Sequence, residues 1–314
     1  SASIAASQLA LFSGTVSGSG NETLDILGDG NFATVSAIES YTLNDDSTNA
    51  RTVSISAAGH SVTASSVTDA ITFDIGTLAY TGTITGENSV ADTLSMSSGA
   101  NISNATISNV TNLTLASGAS VSMTASQHGS FTGTITAPGS ETIIITGDGD
   151  FTTLTGIESY DVADDSTNTR TITVSTGTTN VTAGSSTDAI IFAIGNSAYT
   201  GTLIGENSVA DQVQVTDGAD ISGGGFLNIG TLSLASGATV AIDAANIGNF
   251  STAITGSAGT ETLKLMDGGA FDFTSTSVSA VEGVAIGTDR HTPITIPNNI
   301  KAKGHAEAQP KASG

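Results

Sequence analysis

The residues with the clearest capacity for chemistry are acidic side chains in turns. Gly28-Asp29-Gly30 and Gly147-Asp148-Gly149-Asp150 directly follow predicted strands at 24–27 and 143–145. Calcium takes its oxygen ligands from carboxylates and backbone carbonyls, and glycine permits the tight turns that aim those carbonyls inward. Two further acidic turns each occur twice in the chain. The candidate calcium ligands are Asp29, Asp45, Asp46, Glu87, Asp92, Asp148, Asp150, Asp164, Asp165, Glu206 and Asp211.

A second interpretation of the same turns needs no metal. None of them has the spacing of an EF-hand loop, and none is a full glycine-aspartate nonapeptide. Asp and Asn side chains also accept hydrogen bonds from nearby backbone N–H groups, which forms Asx turns. The sequence leaves calcium binding and Asx turns open as alternatives.

Catalysis has weaker support. The histidines are His60, His128, His291 and His305, and the first two have Thr179 and Ile247 at their repeat-equivalent positions. Neither a Ser-His-Asp pattern nor a phosphate-binding loop is present in the sequence. An enzyme would have to be a carbohydrate lyase or hydrolase that uses a duplicated set of charged residues. That set is Asp45, Asp46, Asp164 and Asp165 beside Arg51 and Arg170. Because the whole set is duplicated and aromatic residues for sugar stacking are scarce, we predict that the protein is not an enzyme.

The elements that position these residues are tandem repeats. Phe12, Phe131 and Phe250 open similar phrases at intervals of 119 residues, and the run from Gly86 to Asp92 recurs letter for letter at 205–211. A fixed period of this kind redefines the folding unit. The predicted division is an N-terminal edge segment at 1–11, repeat 1 at 12–130, repeat 2 at 131–249, a partial repeat 3 at 250–300, and a flexible basic tail or cloning remnant at 301–314.

The local pattern within the repeats is that of β-strands. Thr52-Val-Ser-Ile-Ser56 and Thr171-Ile-Thr-Val-Ser175 alternate apolar with small polar residues, and Gly, Asn, Asp and Ser clusters separate such runs. Aromatic residues form only 4% of the chain and Trp is absent, so a thin core of small aliphatic side chains is expected. We predict an all-β fold, a parallel β-solenoid built from the 119-residue repeats. Tandem β-sandwich modules are the alternative.

Composition excludes several classes of partner. The net charge is −22 and the chain has seven Lys or Arg residues, so it lacks the basic surface that nucleic acid requires. Cysteine is absent, which excludes disulfides and thiolate metal sites. No run is apolar and long enough for a transmembrane helix, and none resembles a signal peptide. We therefore expect no membrane insertion. The composition is typical of an exported bacterial protein.

Several phrases resemble a known class of sequence. They are Glu141-Thr-Ile-Ile-Ile with Gly147-Asp-Gly-Asp-Phe151, Asn112-Leu-Thr-Leu-Ala-Ser-Gly118 and Val121-Ser-Met-Thr-Ala-Ser-Gln-His128. They resemble the β-strand-repeat segments of large bacterial surface proteins, namely repetitive adhesins and S-layer-like exoproteins, over residues 10–290. The resemblance implies calcium binding and a role in surface coating, adhesion or biofilm. This chain departs from the family in lacking a run of glycine-aspartate nonapeptides.

These observations favour a structural and adhesive protein of the bacterial cell surface. It would self-assemble head-to-tail or laterally into fibres or a surface layer, and a surface polysaccharide is a second expected partner. The alternatives are a carbohydrate-binding or carbohydrate-cleaving β-helix, and a phage or host-attachment fibre. Light scattering separates a linear polymer from such a fibre, which usually trimerises.

Overall fold

The computed structural model describes most of the chain. The described residues are 1–9, 11–12, 16–28, 30–44, 49–66, 69–163, 168–183, 189–206, 211–266, 271–274, 276–286, 294–295 and 301–302. They divide into two compact units, one of residues 1–147 and 154–160 and the other of residues 148–153 and 161–314. Both units wind as parallel β-solenoids, with about 12 turns in all.

Short strands make up nearly all of the regular structure. The elements up to residue 147 are β1 Ala2–Ala5, α1 Ala6–Leu9, β2 Thr23–Leu27, β3 Phe32–Ala33, β4 Ser40–Asn44, β5 Arg51–Ser54, β6 Ser61–Ser66, β7 Ile71–Gly76, β8 Thr83–Thr85, β9 Asp92–Met96, β10 Thr106–Ser108, β11 Val110–Leu115, β12 Ser120–Thr124, α2 Ala125–Ser130, β13 Ile135–Thr136 and β14 Thr142–Thr146. The elements after it are β15 Phe151–Thr152, β16 Ser159–Ala163, β17 Arg170–Thr173, β18 Asn180–Thr182, β19 Ile190–Gly195, β20 Thr202–Ile204, β21 Gln212–Val215, β22 Gly225–Leu227, β23 Thr231–Leu234, β24 Thr239–Ile242, α3 Ala244–Ile247, β25 Ala253–Thr255, β26 Thr262–Leu265, β27 Phe271–Asp272, β28 Ser277–Ser279, β29 Gly283–Ile286, β30 Ile294–Thr295 and β31 Lys301–Ala302.

The strands of successive turns, here called coils, stack in parallel. In the first unit two sheets run in the orders β1-β2-β4-β6-β8-β10 and β13-β11-β9-β7-β5-β3. In the second unit the orders include β15-β17-β19-β21-β23-β25-β28 and β24-β26-β29-β31. The described pairings are parallel, whereas sandwich modules would be antiparallel. The predicted all-β solenoid with tandem repeats is confirmed, and the sandwich alternative is not found in the described strands.

Alternation along each strand fills the interior. In β7, Ile71, Phe73 and Ile75 are buried, while Thr72 and Asp74 between them are half-buried on the outer face. This is the period-two arrangement that the sequence predicts, because successive side chains of a strand point to opposite faces. Aliphatic residues form most of the core, as expected, but the scarce aromatic residues are concentrated there as well. Every phenylalanine except Phe12 is buried, and so are all four tyrosines.

The three short helices among the described residues occupy equivalent places 119 residues apart. Each directly or almost directly follows a strand, in the pairs β1–α1, β12–α2 and β24–α3. The hydroxyl of Thr124 and the side chain of Gln127 form a capping box on α2, and Asp243 caps α3. Residues 1–9, which the sequence division treats as an edge segment, thus have the strand and helix of an ordinary repeat. No helix among the described residues is long and apolar enough to cross a membrane.

Candidate functional site

The structure describes six of the eleven candidate calcium ligands. Asp29, Asp45, Asp46, Asp164 and Asp165 lie outside the described residues, as do His291 and His305. The other six divide into two kinds of environment. Asp92 and Asp211 are fully buried, Glu87 and Glu206 are half-buried beside them, and Asp148 and Asp150 are exposed.

Asp92 and Asp211 bind backbone N–H groups with both carboxylate oxygens. Oδ1 of Asp92 accepts from the N–H of Ile71 at 2.7 Å, and Oδ2 accepts from the N–H of Glu87 at 2.8 Å. Asp211 makes the same two bonds, to Ile190 at 2.7 Å and Glu206 at 2.6 Å. Each aspartate therefore ties the preceding coil to the turn that leads into its own strand. A carboxylate suits this place because each oxygen meets a donor that would otherwise be buried without an acceptor.

A glycine allows each of these aspartates to approach the turn. A side-chain carbon on Gly86 would collide with Oδ2 of Asp92 and with the backbone oxygen of Asn109. Asn109 has a φ of 57°, and its amide donates to the backbone oxygen of Gly86 at 3.2 Å. Asparagine tolerates this left-handed conformation better than most residues. The repeated Gly86–Asp92 run is thus explained by a turn that closes around a buried carboxylate.

The environment of Asp92 raises its pKa to about 6. Burial is the largest cause, since a low-dielectric interior disfavours the charged form, and the charges of Asp69 and Glu87 act in the same direction. The hydrogen bonds from Ile71 and Glu87 oppose the shift. The hydrogen bonds from the backbone therefore stabilise the charged carboxylate of Asp92, and burial destabilises it.

We expect Asp92→Ala to lower the free energy of unfolding by about 2 to 4 kcal/mol, because two backbone N–H groups lose their buried acceptor. Urea unfolding at neutral pH measures this loss. The matched control is Asp150→Ala, where an exposed carboxylate is removed and water replaces its bond; its cost should stay within about 1 kcal/mol. Equal costs for the two variants would contradict the structural role of Asp92.

The exposed acidic turn at 147–150 connects two neighbouring coils. Oδ1 of Asp150 accepts from the N–H of Thr171 at 2.6 Å, and Oδ2 of Asp148 accepts from the amide of Asn168 at 2.7 Å. Gly147 and Gly149 have φ values of 75° and 130°, which glycine adopts readily, in the tight turn that the sequence predicts. In the first repeat a neutral residue makes the same bond as Asp150. The N–H of Thr52 donates to Oδ1 of Asn31 at 2.6 Å. The bond between coils therefore does not depend on charge.

A second Asn–Asp pair forms Asx turns at positions outside the candidate calcium ligands. Oδ1 of Asn101 accepts from the N–H and hydroxyl of Ser103 at 2.9 and 2.6 Å. The equivalent Asp220 accepts from the N–H and hydroxyl of Ser222 at 3.0 and 2.6 Å. Asparagine and aspartate are interchangeable here because the backbone needs only an acceptor. Calcium binding at the acidic turns stays a prediction, since among the described residues no group of three or more His, Asp or Glu side chains is placed to hold a metal ion.

A ladder of glutamates was not singled out from the sequence. Oε1 of Glu141 accepts from the N–H of Gly118 on the preceding coil at 3.0 Å, and Oε2 accepts from Gly139 at 3.1 Å. Its own N–H donates to Oε2 of Glu158 on the following coil at 3.2 Å. The same link joins Glu22 to Glu39 at 3.0 Å and Glu261 to Glu282 at 2.9 Å. The sequence signal for this ladder is that Glu22, Glu141 and Glu261 each directly precede a strand that starts with Thr and an apolar residue. Each of them is followed by a second Glu one coil later.

In the last of these links, the hydrogen bond from Gly237 is the largest cause of a lowered pKa at Glu261. That bond is 3.0 Å long and reaches Oε1 of a fully buried side chain. The glutamates, like the aspartates, are thus acceptors for the backbone of adjacent coils.

Arg51, a cation of the proposed sugar site, is buried rather than open to solvent. Its Nε lies 3.2 Å from Oδ2 of Asp69, and its Nη1 donates to the backbone oxygen of Gly28 at 3.0 Å. Both side chains of the ion pair are almost fully buried. A planar guanidinium with several donors can satisfy a carboxylate and a carbonyl together, which explains its place between turns.

Buried histidines and tyrosines also bond within the coil stack. Nε2 of His128 lies 3.1 Å from the hydroxyl of Tyr160, and burial lowers the pKa of His128 to about 4. The hydroxyl of Tyr160 also accepts from the N–H of Leu154 at 2.7 Å. Tyr199 donates to the backbone oxygen of Thr179 one coil earlier, at 2.7 Å. These buried side chains bond to one another or to backbone groups of the turns, and none of them faces solvent.

Comparisons with known proteins give no match to any family model, curated protein or solved structure.

Proposed function

We propose that this chain is a structural and adhesive protein of the bacterial cell surface that self-assembles into fibres or a surface layer. The observation that carries the proposal is that buried acidic side chains accept hydrogen bonds from the backbone of adjacent coils. Asp92, Asp211, Glu141 and Glu261 are buried acceptors for backbone N–H groups. A solenoid whose coils are bonded in this way is extended and presents a repeated surface, as tandem-repeat proteins usually do.

The outer face supports an extracellular role. Ser and Thr side chains alternate with the buried residues and cover the strands, as Thr72 does in β7 and Thr142 in β14. The net charge of −22 keeps such a surface hydrated, and a Cys-free chain has no thiols to oxidise outside the cell. Surface polysaccharide is a fitting partner for these hydroxyl-rich faces.

Calcium is proposed to act at exposed turns rather than inside the stack. Asp148 and Asp150 are exposed, whereas both oxygens of Asp92 already accept from backbone donors that a cation would have to displace. Calcium in this proposal joins copies and is not needed for the coils to fold. Circular dichroism should therefore show the same β content with calcium and with chelator.

The carbohydrate-cleaving alternative loses support from the position of Arg51. That alternative needs the guanidinium beside a solvent-exposed substrate, but it is buried against Asp69 and Gly28. A glycan screen with product analysis tests the alternative directly.

Sedimentation velocity over a range of protein concentrations tests the self-assembly. We expect the average mass to rise with concentration well beyond that of one 30.9 kDa chain. A chain that stays monomeric at every concentration, with calcium and without, would overturn the proposal.

A further inference from the structure

The buried carboxylate of Glu261 has one oxygen that meets no donor. Its Oε1 accepts from the N–H of Gly237 at 3.0 Å, but its Oε2 is buried and has no partner in hydrogen-bonding geometry among the described residues. The whole side chain is 0% exposed, so bulk solvent does not reach this oxygen. A buried acceptor without a donor is destabilising, and more so when the acceptor carries a charge.

A second carboxyl group lies beside this oxygen-rich position. Glu282 directly precedes β29, and its Oε2 accepts from the N–H of Glu261 at 2.9 Å. The bond from Gly237 is the largest cause of the lowered pKa of Glu261, and a side-chain hydrogen bond with Glu282 acts in the same direction. An ionised carboxylate can only accept hydrogen bonds, and two ionised carboxylates in contact repel each other. The contact between the two side chains therefore needs one proton.

The same arrangement occurs in the other compact unit. Oε1 of Glu22 accepts from the N–H of Ser19 at 2.7 Å, whereas its buried Oε2 has no partner in hydrogen-bonding geometry. The N–H of Glu22 donates to Oε2 of Glu39 at 3.0 Å. That bond is the largest cause of the lowered pKa of Glu39, and a side-chain hydrogen bond with Glu22 adds to it. Two glutamate pairs thus combine an unsatisfied oxygen with a second carboxyl group.

Glu141 shows the alternative in which the backbone supplies every donor. Its Oε1 accepts from the N–H of Gly118 at 3.0 Å, and its Oε2 accepts from the N–H of Gly139 at 3.1 Å. Both oxygens are satisfied, so this fully buried carboxylate needs no proton from its neighbour Glu158. Glu141 is therefore a matched comparison for Glu261 in the same kind of position.

We propose that Glu261 and Glu282 share one proton in the folded chain and form a pH-sensitive clasp between two coils. The proton comes from solvent as the chain folds, and it supplies the donor that Oε2 of Glu261 lacks. Glu22 and Glu39 form a second clasp of this kind. The proposal goes beyond the proposed function and does not depend on self-assembly.

The surroundings of the clasp favour a proton over a cationic side chain. The other groups that act on the Glu261 carboxylate are the N–H groups of Gly237, Ser257 and Glu261 itself, so none of them in the described part of the chain is a basic side chain. Lys264 belongs to the outer face of β26, because the residues on either side of it are buried. At the second clasp His60 acts on Glu39, but it is the weakest of the causes that lower the pKa of Glu39.

The clasp makes stability depend on pH in a defined direction. A glutamate in the unfolded chain releases its proton near pH 4.3. A folded pair that keeps one proton above that pH binds more protons than the unfolded chain does, and its titration belongs to the pair and not to either residue. The stability from the clasp is complete below about pH 4 and is lost as the pH rises. The equilibrium constant for unfolding then increases by up to about tenfold per pH unit until the pair is fully ionised.

Urea unfolding of the full chain between about pH 5 and pH 8 tests the clasp with Glu261→Gln. Glutamine keeps an oxygen for the N–H of Gly237 and offers Glu282 a permanent N–H donor. We expect the ratio of the unfolding constants, wild type over variant, to rise by about tenfold or more across this range. The ratio cancels the titration of groups that both chains share, such as His128.

Glu141→Gln is the matched control. A glutamine there has one oxygen for two backbone donors, so its amide N–H₂ must face an N–H group. We expect it to raise the unfolding constant by about tenfold at every pH, with no trend across the range. Glu282→Gln is a second test variant, because its oxygen can still accept from Glu261 while its amide supplies the donor. If Glu261→Gln does not fold, the same rising ratio is expected from Glu282→Gln.

Infrared spectroscopy of the folded chain at neutral pH detects the proton directly. We expect a protonated-carboxyl band in the wild type that is weaker in Glu261→Gln. A constant ratio of unfolding constants for both test variants, or an unchanged band, would overturn the clasp. A gain in stability from millimolar calcium that Glu261→Gln abolishes would place a cation between the carboxyl groups, and would also overturn it. None of these results bears on the sedimentation test of self-assembly.

Discussion

Asp69→Ala is expected to lower the free energy of unfolding by about 3 to 5 kcal/mol. The substitution removes the carboxylate that lies 3.2 Å from Nε of the buried Arg51 guanidinium. Nη1 of Arg51 keeps its hydrogen bond to the backbone oxygen of Gly28. Urea unfolding monitored by circular dichroism measures the loss.

Two further variants isolate the ion pair. The double variant Arg51→Met with Asp69→Leu removes both charges, and we expect it to recover most of the lost stability, because apolar residues of similar volume often replace a buried ion pair at little cost. Asp74→Ala is the matched control. That carboxylate is half-buried and accepts from the N–H of Gly76 at the end of the same strand, β7, at 3.1 Å. An Asp69→Ala variant as stable as Asp74→Ala would show that the pair contributes nothing.

The second large effect depends on pH. Burial lowers the pKa of His128 from 6.5 to about 4, so the folded chain binds the His128 proton more weakly than the unfolded chain does. The stability from the neutral ring is complete above pH 6.5 and is lost as the pH falls toward 4. The difference in pKa corresponds to about 3 kcal/mol at the acid end.

His128→Leu should remove this acid sensitivity. Leucine is a fitting replacement because Leu9 occupies the equivalent position of α1 and is buried there. We expect wild type and variant to differ little at pH 7, where the described cost is the bond to Tyr160, and the variant to be more stable by about 3 kcal/mol near pH 4. Parallel stability curves from pH 7 to pH 4 would contradict a buried neutral imidazole.

The fold was predictable because its main signals are local. Alternation in runs such as Thr52–Ser56 specifies strands with one buried face, and Gly147-Asp148-Gly149 specifies a tight turn. The repeat then predicts stacking, since a thin strand layer cannot bury its apolar face alone. The sequence pattern predicts none of the helices α1, α2 and α3, although Ala6-Ser-Gln8 repeats as Ala125-Ser-Gln127. A helix of one or two turns has too few residues for a helical period to show.

The roles of the polar residues could not be predicted in the same way. Whether an aspartate binds a cation or a backbone N–H depends on which turn lies one coil away, about 20 residues along the chain. Asp92 and Asp150 look alike in sequence, yet one is a buried double acceptor and the other an exposed one. The comparison of Asn31 with Asp150, and of Asn101 with Asp220, was the available clue. A position that accepts either residue needs an oxygen atom and not a charge.

Negative-stain electron microscopy of the full chain, with millimolar calcium and with chelator, is the most direct test of self-assembly. We expect filaments or sheets that are much larger than one 30.9 kDa chain. Loss of the filaments on chelation would place calcium between copies. Single particles of one chain in both conditions would contradict a self-assembling surface protein.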